Sequence, residues 1–304
     1  MALLGETLYG TANGGGGAGN GTLFAINLDG TGFANLHSFT LDEVHQPNGV
    51  ISSGNVLYGT FYGGGFGPSV GGVFAIRTNG TGFTNLHSFK FRDGAYPFGG
   101  LTVSNRMLYG TTTSGGKWNG GTVFSLLMDG SDFQLLHEFI PPQEERNEDG
   151  GDPHGALALW NGTVYGVGTV EVATTSGAIS QHGVIFGVNL DGSSFKTIYS
   201  FPEGVGPANG VLSSGNRLYG GAGSGGSSVT LFSVAVTAPL SIVPNGNNLV
   251  LTWPLVPSGL SLQSSTSLLS SFWVPVTPSP VVVNGQNMVI SPSNGTQQFF
   301  RLNQ

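Results

Sequence analysis

An all-β fold, led by a β-propeller of about five four-stranded blades, is what this 304-residue sequence predicts. Three observations lead there. A unit of roughly 50 residues recurs five times, a period typical of repeat architectures. Inside each unit, short β-rich runs are broken by Gly, Asn and Asp, the pattern of strands joined by tight turns. No stretch sustains a 3.6-residue apolar period, so almost no helix is expected.

The first anchor of the unit is Leu/Val-Tyr-Gly, at Leu8-Tyr9-Gly10, Leu57-Tyr58-Gly59, Leu108-Tyr109-Gly110, Val164-Tyr165-Gly166 and Leu218-Tyr219-Gly220. The second is an aliphatic residue before Phe24, Phe74, Phe124, Phe186 and Phe232. An Asp/Asn-Gly pair follows at Asp29-Gly30, Asn79-Gly80, Asp129-Gly130 and Asp191-Gly192, where glycine supplies the positive φ of a tight turn. A segment closing at Phe39, Phe89, Phe139 and Phe201 completes the unit, and Pro47, Pro97, Pro153 and Pro207 precede the next. In the third unit the strands are expected near 100–104, 107–112, 122–127 and 133–139. One such sheet cannot bury both apolar faces, and stacking on its neighbours does so. The fifth unit lacks an Asp-Gly turn and a fourth strand, and the first has only a clipped leading strand, Ala2–Leu4; the propeller is therefore expected to be incomplete or imperfectly closed.

Residues 1–238 form the repeat domain in this reading, and residues 239–304 a second one. There, seven short runs alternate with Ser, Pro, Asn and Gly: 240–243, 249–253, 260–263, 272–276, 281–283, 288–290 and 299–302. They suggest a small immunoglobulin-like or fibronectin-III-like sandwich with Trp253 and Trp273 as its core aromatics.

Composition narrows the function. Charged residues are only 8% of the chain and the net charge is −7, with nine Lys and Arg in all, so nucleic acid is not an expected partner. No apolar run approaches the length of a membrane-spanning helix. Cysteine is absent, which removes disulfides and thiolate chemistry. The opening Met-Ala-Leu-Leu-Gly lacks the basic and apolar regions of a signal peptide, yet already lies inside a repeat. A mature, exported chain, secreted or on the cell surface, is the expectation.

The repeat resembles the GloVer tandem repeat of bacterial surface and secreted proteins. The third unit carries the likeness best, from Leu108-Tyr109-Gly110-Thr111-Thr112 through Gly121-Thr122-Val123-Phe124 to Leu136-His137-Glu138-Phe139, with Asp93-Gly94-Ala95-Tyr96-Pro97 as its lead-in. The resemblance covers roughly residues 1–238. It implies an exported bacterial protein and brings no activity and no catalytic residues.

Most chemistry-bearing residues have a structural reading. Gly14–Gly19 matches G-x-G-x-x-G, but a strand rather than a helix is expected after it, which makes it a hairpin loop. His37, His87 and His137 share one repeat position with Tyr199, as expected of packing or a blade-to-blade hydrogen bond. Irregularities are more informative. Phe139 to Pro153 spans 14 positions where the equivalent intervals are 8, 8 and 6, and Tyr165 to Phe186 spans 21 where the others are 15, 16, 15 and 13. Both insertions fall on the face that carries the second-to-third-strand loops and the connections between units, with Trp118 as their expected neighbour. The first holds Glu144, Glu145, Glu148, Asp149 and Asp152, with His154 beyond; the second holds Glu171 and His182. Glu148, Asp149 and Asp152 could offer oxygens to calcium, although Asp149-Gly150 also matches the ordinary Asp93-Gly94 lead-in. No cofactor is otherwise expected. The ligand-binding candidates are thus Trp118, Glu148, Asp149, Asp152, His154, Glu171 and His182. They suggest a non-enzymatic exported propeller binding a carbohydrate or surface protein on its long-loop face. A carbohydrate-active lyase or hydrolase and a purely structural envelope or adhesion repeat are the alternatives.

Overall fold

A computed structural model of the protein describes residues 1–63, 70–140, 149–173, 179–207, 209–223, 229–236, 240–254, 261–267, 272–283, 286–292 and 298–303. All regular structure among them is β. The chain divides into two compact units. One comprises Met1–Leu159, Val164–Leu212 and Leu218–Val234; the other comprises Ala235–Gln304 with Trp160–Thr163 and Ser213–Arg217.

The first unit is a propeller-like series of antiparallel sheets. Sheet one contains β1 (Ala2–Leu4), β2 (Thr7–Ala12), β3 (Thr22–Asn27) and β4 (Ala34–Ser38). Sheet two contains β5 (His45–Ser53), β6 (Val56–Gly63), β7 (Gly72–Arg77) and β8 (Thr84–Ser88). Sheet three contains β9 (Thr102–Ser104), β10 (Met107–Thr112), β11 (Thr122–Leu127) and β12 (Gln134–Glu138). Sheet four contains β13 (Gly151–Trp160), β14 (Thr163–Ala173), β15 (Ile179–Asn189) and β16 (Lys196–Ser200). In each, strand order in space follows the sequence. The fifth sheet differs. Its first strand is split into β17 (Gly206–Pro207) and β18 (Leu212–Ser214), both beside β19 (Arg217–Gly223), and β20 (Val229–Ala235) pairs with β19. Among the described residues it has no outer fourth strand.

The Leu-Tyr-Gly anchor has a steric cause. Gly10, Gly59 and Gly110 lie directly across from Phe24, Phe74 and Phe124 in the next strand. A Cβ on Gly59 would sit 2.6 Å from Phe74 Cζ, and Gly166 and Gly220 meet Phe186 and Phe232 in the same way. The ring lies over the glycine, covering backbone that no side chain protects.

Adjacent sheets meet through contacts that recur from junction to junction. Phe39, Phe89, Phe139 and Phe201 each point an edge at the strand-three Phe of the following sheet, with ring centroids 5.5, 5.0, 5.0 and 5.1 Å apart. Such pairs add about 0.5–1.5 kcal/mol beyond burial. Pro47, Pro97, Pro153 and Pro207 pack against Gly21, Gly71, Gly121 and Gly183 of the preceding sheet, the first three just ahead of its third strand and Gly183 within it. A third contact uses a bulge in the fourth strand, where Leu36, Leu86, Leu136 and Ile198 are the extra residues. Against the first three bulges lies the Asn79-Gly80, Asp129-Gly130 or Asp191-Gly192 turn of the next sheet. In these turns the Asp or Asn side chain accepts from the residue two positions on, as in Thr81 N–H to Asn79 Oδ1 at 3.1 Å and Ser131 N–H to Asp129 Oδ1 at 2.9 Å.

The second unit holds two sheets. One has β21 (Ser241–Asn245), β22 (Asn248–Pro254), β25 (Val281–Val283) and β26 (Gln286–Pro292), in the order β21-β22-β26-β25. The other has β23 (Ser261–Ser265), β24 (Val274–Pro275) and β27 (Phe299–Asn303), with β23 central. Leu251, Trp253 and Val289 from the first sheet and Leu262 from the second form its core. The expectation that Trp273 is a core aromatic is corrected: it is half-buried, with the Arg301 guanidinium 4.4 Å from its ring.

Candidate functional site

The repeated histidines belong to the junctions. His37, His87 and His137 stack nearly parallel on Phe83, Phe133 and Phe195 of the next sheet, with centroids 6.3, 4.0 and 3.6 Å apart. Their Nε2 atoms lie 3.0, 3.2 and 3.7 Å from Glu43, Asp93 and Asp149. His37 Nδ1 also reaches Gly80 O at 3.2 Å. Burial would raise the Glu43 carboxyl, but the Thr40 N–H and His37 outweigh it and hold the group below the ordinary Glu value. At His137, burial depresses the imidazole below the usual histidine value against the opposing pull of Asp149 and Glu138.

Asp149 therefore occupies the place that Asp93 and Glu43 occupy one and two units earlier. Asp152 has a left-handed backbone (φ 45°), as do Gln46 (57°) and Tyr96 (58°), each immediately before its proline. Its N–H donates to Gly120 O at 3.0 Å, two residues from Trp118. The lead-in to sheet four thus lies against the loop that carries Trp118. His154, on β13, is half-buried, with Nδ1 3.0 Å from Asp152 O and Nε2 3.5 Å from Pro207 O. His182 is half-buried on β15, next to Gly183, whose N–H donates to Val205 O. Glu171 lies on β14. Glu144, Glu145 and Glu148 lie outside the described residues. Among the described residues, no three His, Asp or Glu side chains come together as metal ligands.

The second insertion is mostly strand. β14 and β15 are 11 residues each, against 6 for β10 and β11. Gly14–Gly19 joins β2 to β3, with Gly21 N–H donating to Gly15 O at 3.1 Å, so the hairpin reading is correct.

A second group of residues gathers on the long-loop face beside Trp118. The loop from β10 to β11 is tied down by Asn119 Oδ1, which accepts from Gly115 N–H at 3.0 Å, and by Glu138 Oε1, which accepts from Lys117 N–H at 2.7 Å. The turn leading out of β8 is fixed by Asp93 Oδ1, which accepts from Lys90 N–H at 2.7 Å. Gly116 N–H donates to Phe91 O at 2.8 Å and joins turn to loop. Between them lies a cavity of about 730 Å³ lined by Phe91, Arg92, Gly116, Lys117, Asn119 and Glu138. Trp118, 49% exposed, falls in the chain between the lining residues Lys117 and Asn119, with the Lys117 ammonium 4.5 Å over its ring. Phe91, also exposed, meets Tyr96 edge-on, and Tyr96 stacks on the exposed Tyr62 at 4.7 Å. Of this constellation only Trp118 stood out in the sequence. The only hint of the rest was exposed-type aromatics and cations flanking two connections of otherwise ordinary length.

These features define an all-β, propeller-like repeat protein with an aromatic and cationic groove on one loop face. Residues 3–179 match the Gloeobacter/Verrucomicrobia repeat, and the chain belongs to that family. Comparison with curated proteins finds no match. Among solved structures, an ulvan lyase of a new polysaccharide-lyase family aligns with a TM-score of 0.52 at 9% identity, over 99% of this chain and 90% of that one. A protein from Bacteroides uniformis assigned as a 6-phosphogluconolactonase aligns with a TM-score of 0.39 at 14% identity, over 98% and 95%. An oligogalacturonate lyase from Vibrio parahaemolyticus gives 0.37 at 10%, over 82% and 83%. At these identities the likeness concerns the fold alone.

Proposed function

We propose that this protein is a non-enzymatic, exported propeller that binds a glycan on its long-loop face, with Trp118 as a stacking platform. The observation that carries this reading is the half-exposed Trp118 between the groove-lining Lys117 and Asn119. Aromatic faces suit the apolar faces of sugar rings, and tied-down loops lower the ordering cost of binding. In this proposal residues 1–238 form a five-bladed propeller. Residues 239–304 form an immunoglobulin-like or fibronectin-III-like sandwich that serves attachment or capping. In the same proposal Asp149, Asp152, His154, Glu171 and His182 extend the contact surface toward sheet four, and Glu148 joins Asp149 and Asp152 if calcium takes part. A glycan array followed by calorimetry, with and without calcium, tests the proposal. Binding should fall at least about tenfold in Trp118→Ala. Unchanged affinity in that variant would remove the site assignment, and a blank array would remove the function.

A second reading is a carbohydrate-active lyase or hydrolase on this face. It is favoured by the fold of the ulvan lyase, which spans nearly the whole chain. Release of unsaturated or reducing-end products from a polysaccharide panel would establish it in place of simple binding.

A further inference from the structure

We propose that the ligand class of this groove is an acidic glycan, whose carboxylate or sulfate groups meet Arg92 and Lys117. The inference rests on the glycan-binding reading and adds its charge. The chain carries nine Lys and Arg against 16 Asp and Glu, so cations are scarce. Three of the nine, Lys90, Arg92 and Lys117, nonetheless sit on one short turn and the loop beside it. All three are exposed, and no carboxylate among the described residues forms an ion pair with them. The other six Lys and Arg are spread singly over the rest of the sequence.

Geometry gives the cations a common target. Arg92 and Lys117 both line the groove, one from the turn after β8 and one from the loop before β11. The Lys117 ammonium is held over the Trp118 ring, so a sugar ring at Trp118 brings its substituents within reach of that charge. Arg92 offers a planar fork of donors that fits a carboxylate or sulfate in two bonds. Glu138, the one carboxylate in the lining, already accepts the Lys117 N–H with Oε1. A neutral glycan would need the stacking surface but neither cation.

The test is calorimetry on the full chain with polygalacturonate oligosaccharides (carboxylate), carrageenan oligosaccharides (sulfate) and cellohexaose (neutral). Poly-glutamate and single-stranded DNA serve as non-glycan polyanions. Arg92→Gln and Lys117→Gln are compared with Arg106→Gln, which removes a cation from the β9–β10 turn at the other end of the same sheet. Both site residues are exposed, and an unchanged melting midpoint confirms folding in each variant. The expected result is binding of at least one acidic oligosaccharide and not of cellohexaose. Affinity should weaken by roughly tenfold in each site variant, remain unchanged in Arg106→Gln, and weaken by roughly tenfold between about 0.05 M and about 0.5 M salt. The stronger of the polygalacturonate and carrageenan arms identifies the acidic group. Cellohexaose binding with no effect of either site variant would overturn the acidic class while leaving glycan binding intact. Equal binding of poly-glutamate or DNA would overturn glycan recognition by charge. No glycan binding at all would overturn both.

Discussion

The ring of Phe74 over Gly59 leaves no room for a methyl group. Two effects oppose each other in Gly59→Ala. Reduced freedom of the unfolded chain favours alanine by about 0.4–1 kcal/mol. Overpacking costs about 1–3 kcal/mol, and a Cβ 2.6 Å from Phe74 and 3.0 Å from Val50 makes the steric effect the larger. Gly59→Ala should therefore destabilise by about 1–2 kcal/mol. Gly17→Ala, which meets nothing within 4 Å and has no positive φ, leaves the first effect unopposed and should stabilise by about 0.4–1 kcal/mol in urea unfolding. His137 supplies a pH dependence. Burial lowers the folded-state affinity of its ring for a proton, despite Asp149 and Glu138. The unfolded chain protonates this histidine first as pH falls, so its contribution is complete above about pH 6.5 and is lost as pH drops through the lower folded value. Urea midpoints at about pH 7.5 and about pH 5.5 should differ more in the parent than in His137→Gln; an equal difference would assign the dependence to other groups.

At the level of elements, repetition made the second and third strands legible: β10 and β11 match residues 107–112 and 122–127 end to end. Glycine under phenylalanine marks both strands at once, so their register was already present in the spacing. The fourth strand is shorter by one residue at each end, and its bulge carries no signature. Leu36, Leu86 and Leu136 look like any alternating aliphatic. Length alone reads the second insertion as loop, although Val167-Gly168-Thr169-Val170-Glu171-Val172 is rich in β-branched residues. The groove was illegible because Arg92 and Lys117 come from different units and meet only where one connection crosses the next sheet's loop. Conversely, the likeness of Asp149-Gly150 to Asp93-Gly94 foretold an ordinary role, and Asp149 does face a repeat histidine. The same repeat position can have opposite sensitivities. Val123 is fully buried by the following sheet, whereas Leu231, its counterpart on β20, is 87% exposed. Val123→Gln should cost roughly 3 kcal/mol by burying an amide, and Leu231→Gln less than about 0.5 kcal/mol, read from thermal melts of both.

Across the whole molecule, stability should be graded along the repeat series. Interior sheets are covered on both faces, while Phe33 in sheet one is 66% exposed where its counterparts stack on a histidine. In sheet five, Leu212, Tyr219 and Leu231 are likewise exposed, and β20 pairs only with β19 among the described strands. In arrays held by nearest-neighbour contacts, opening begins where a neighbour is missing. Hydrogen exchange should therefore find β19 and β20 amides opening first and β10 and β11 last; uniform protection would mean that the series unfolds as one block. The proline that wedges against the preceding glycine has a genetic counterpart. Gly71 and Pro97, or Gly121 and Pro153, belong to different copies, so a change in one copy is corrected only in its successor. Substitutions should therefore be inherited in pairs that straddle copy boundaries. A duplication that inserts one whole period brings both members of each pair with it, which lets the gene lengthen without any compensating change.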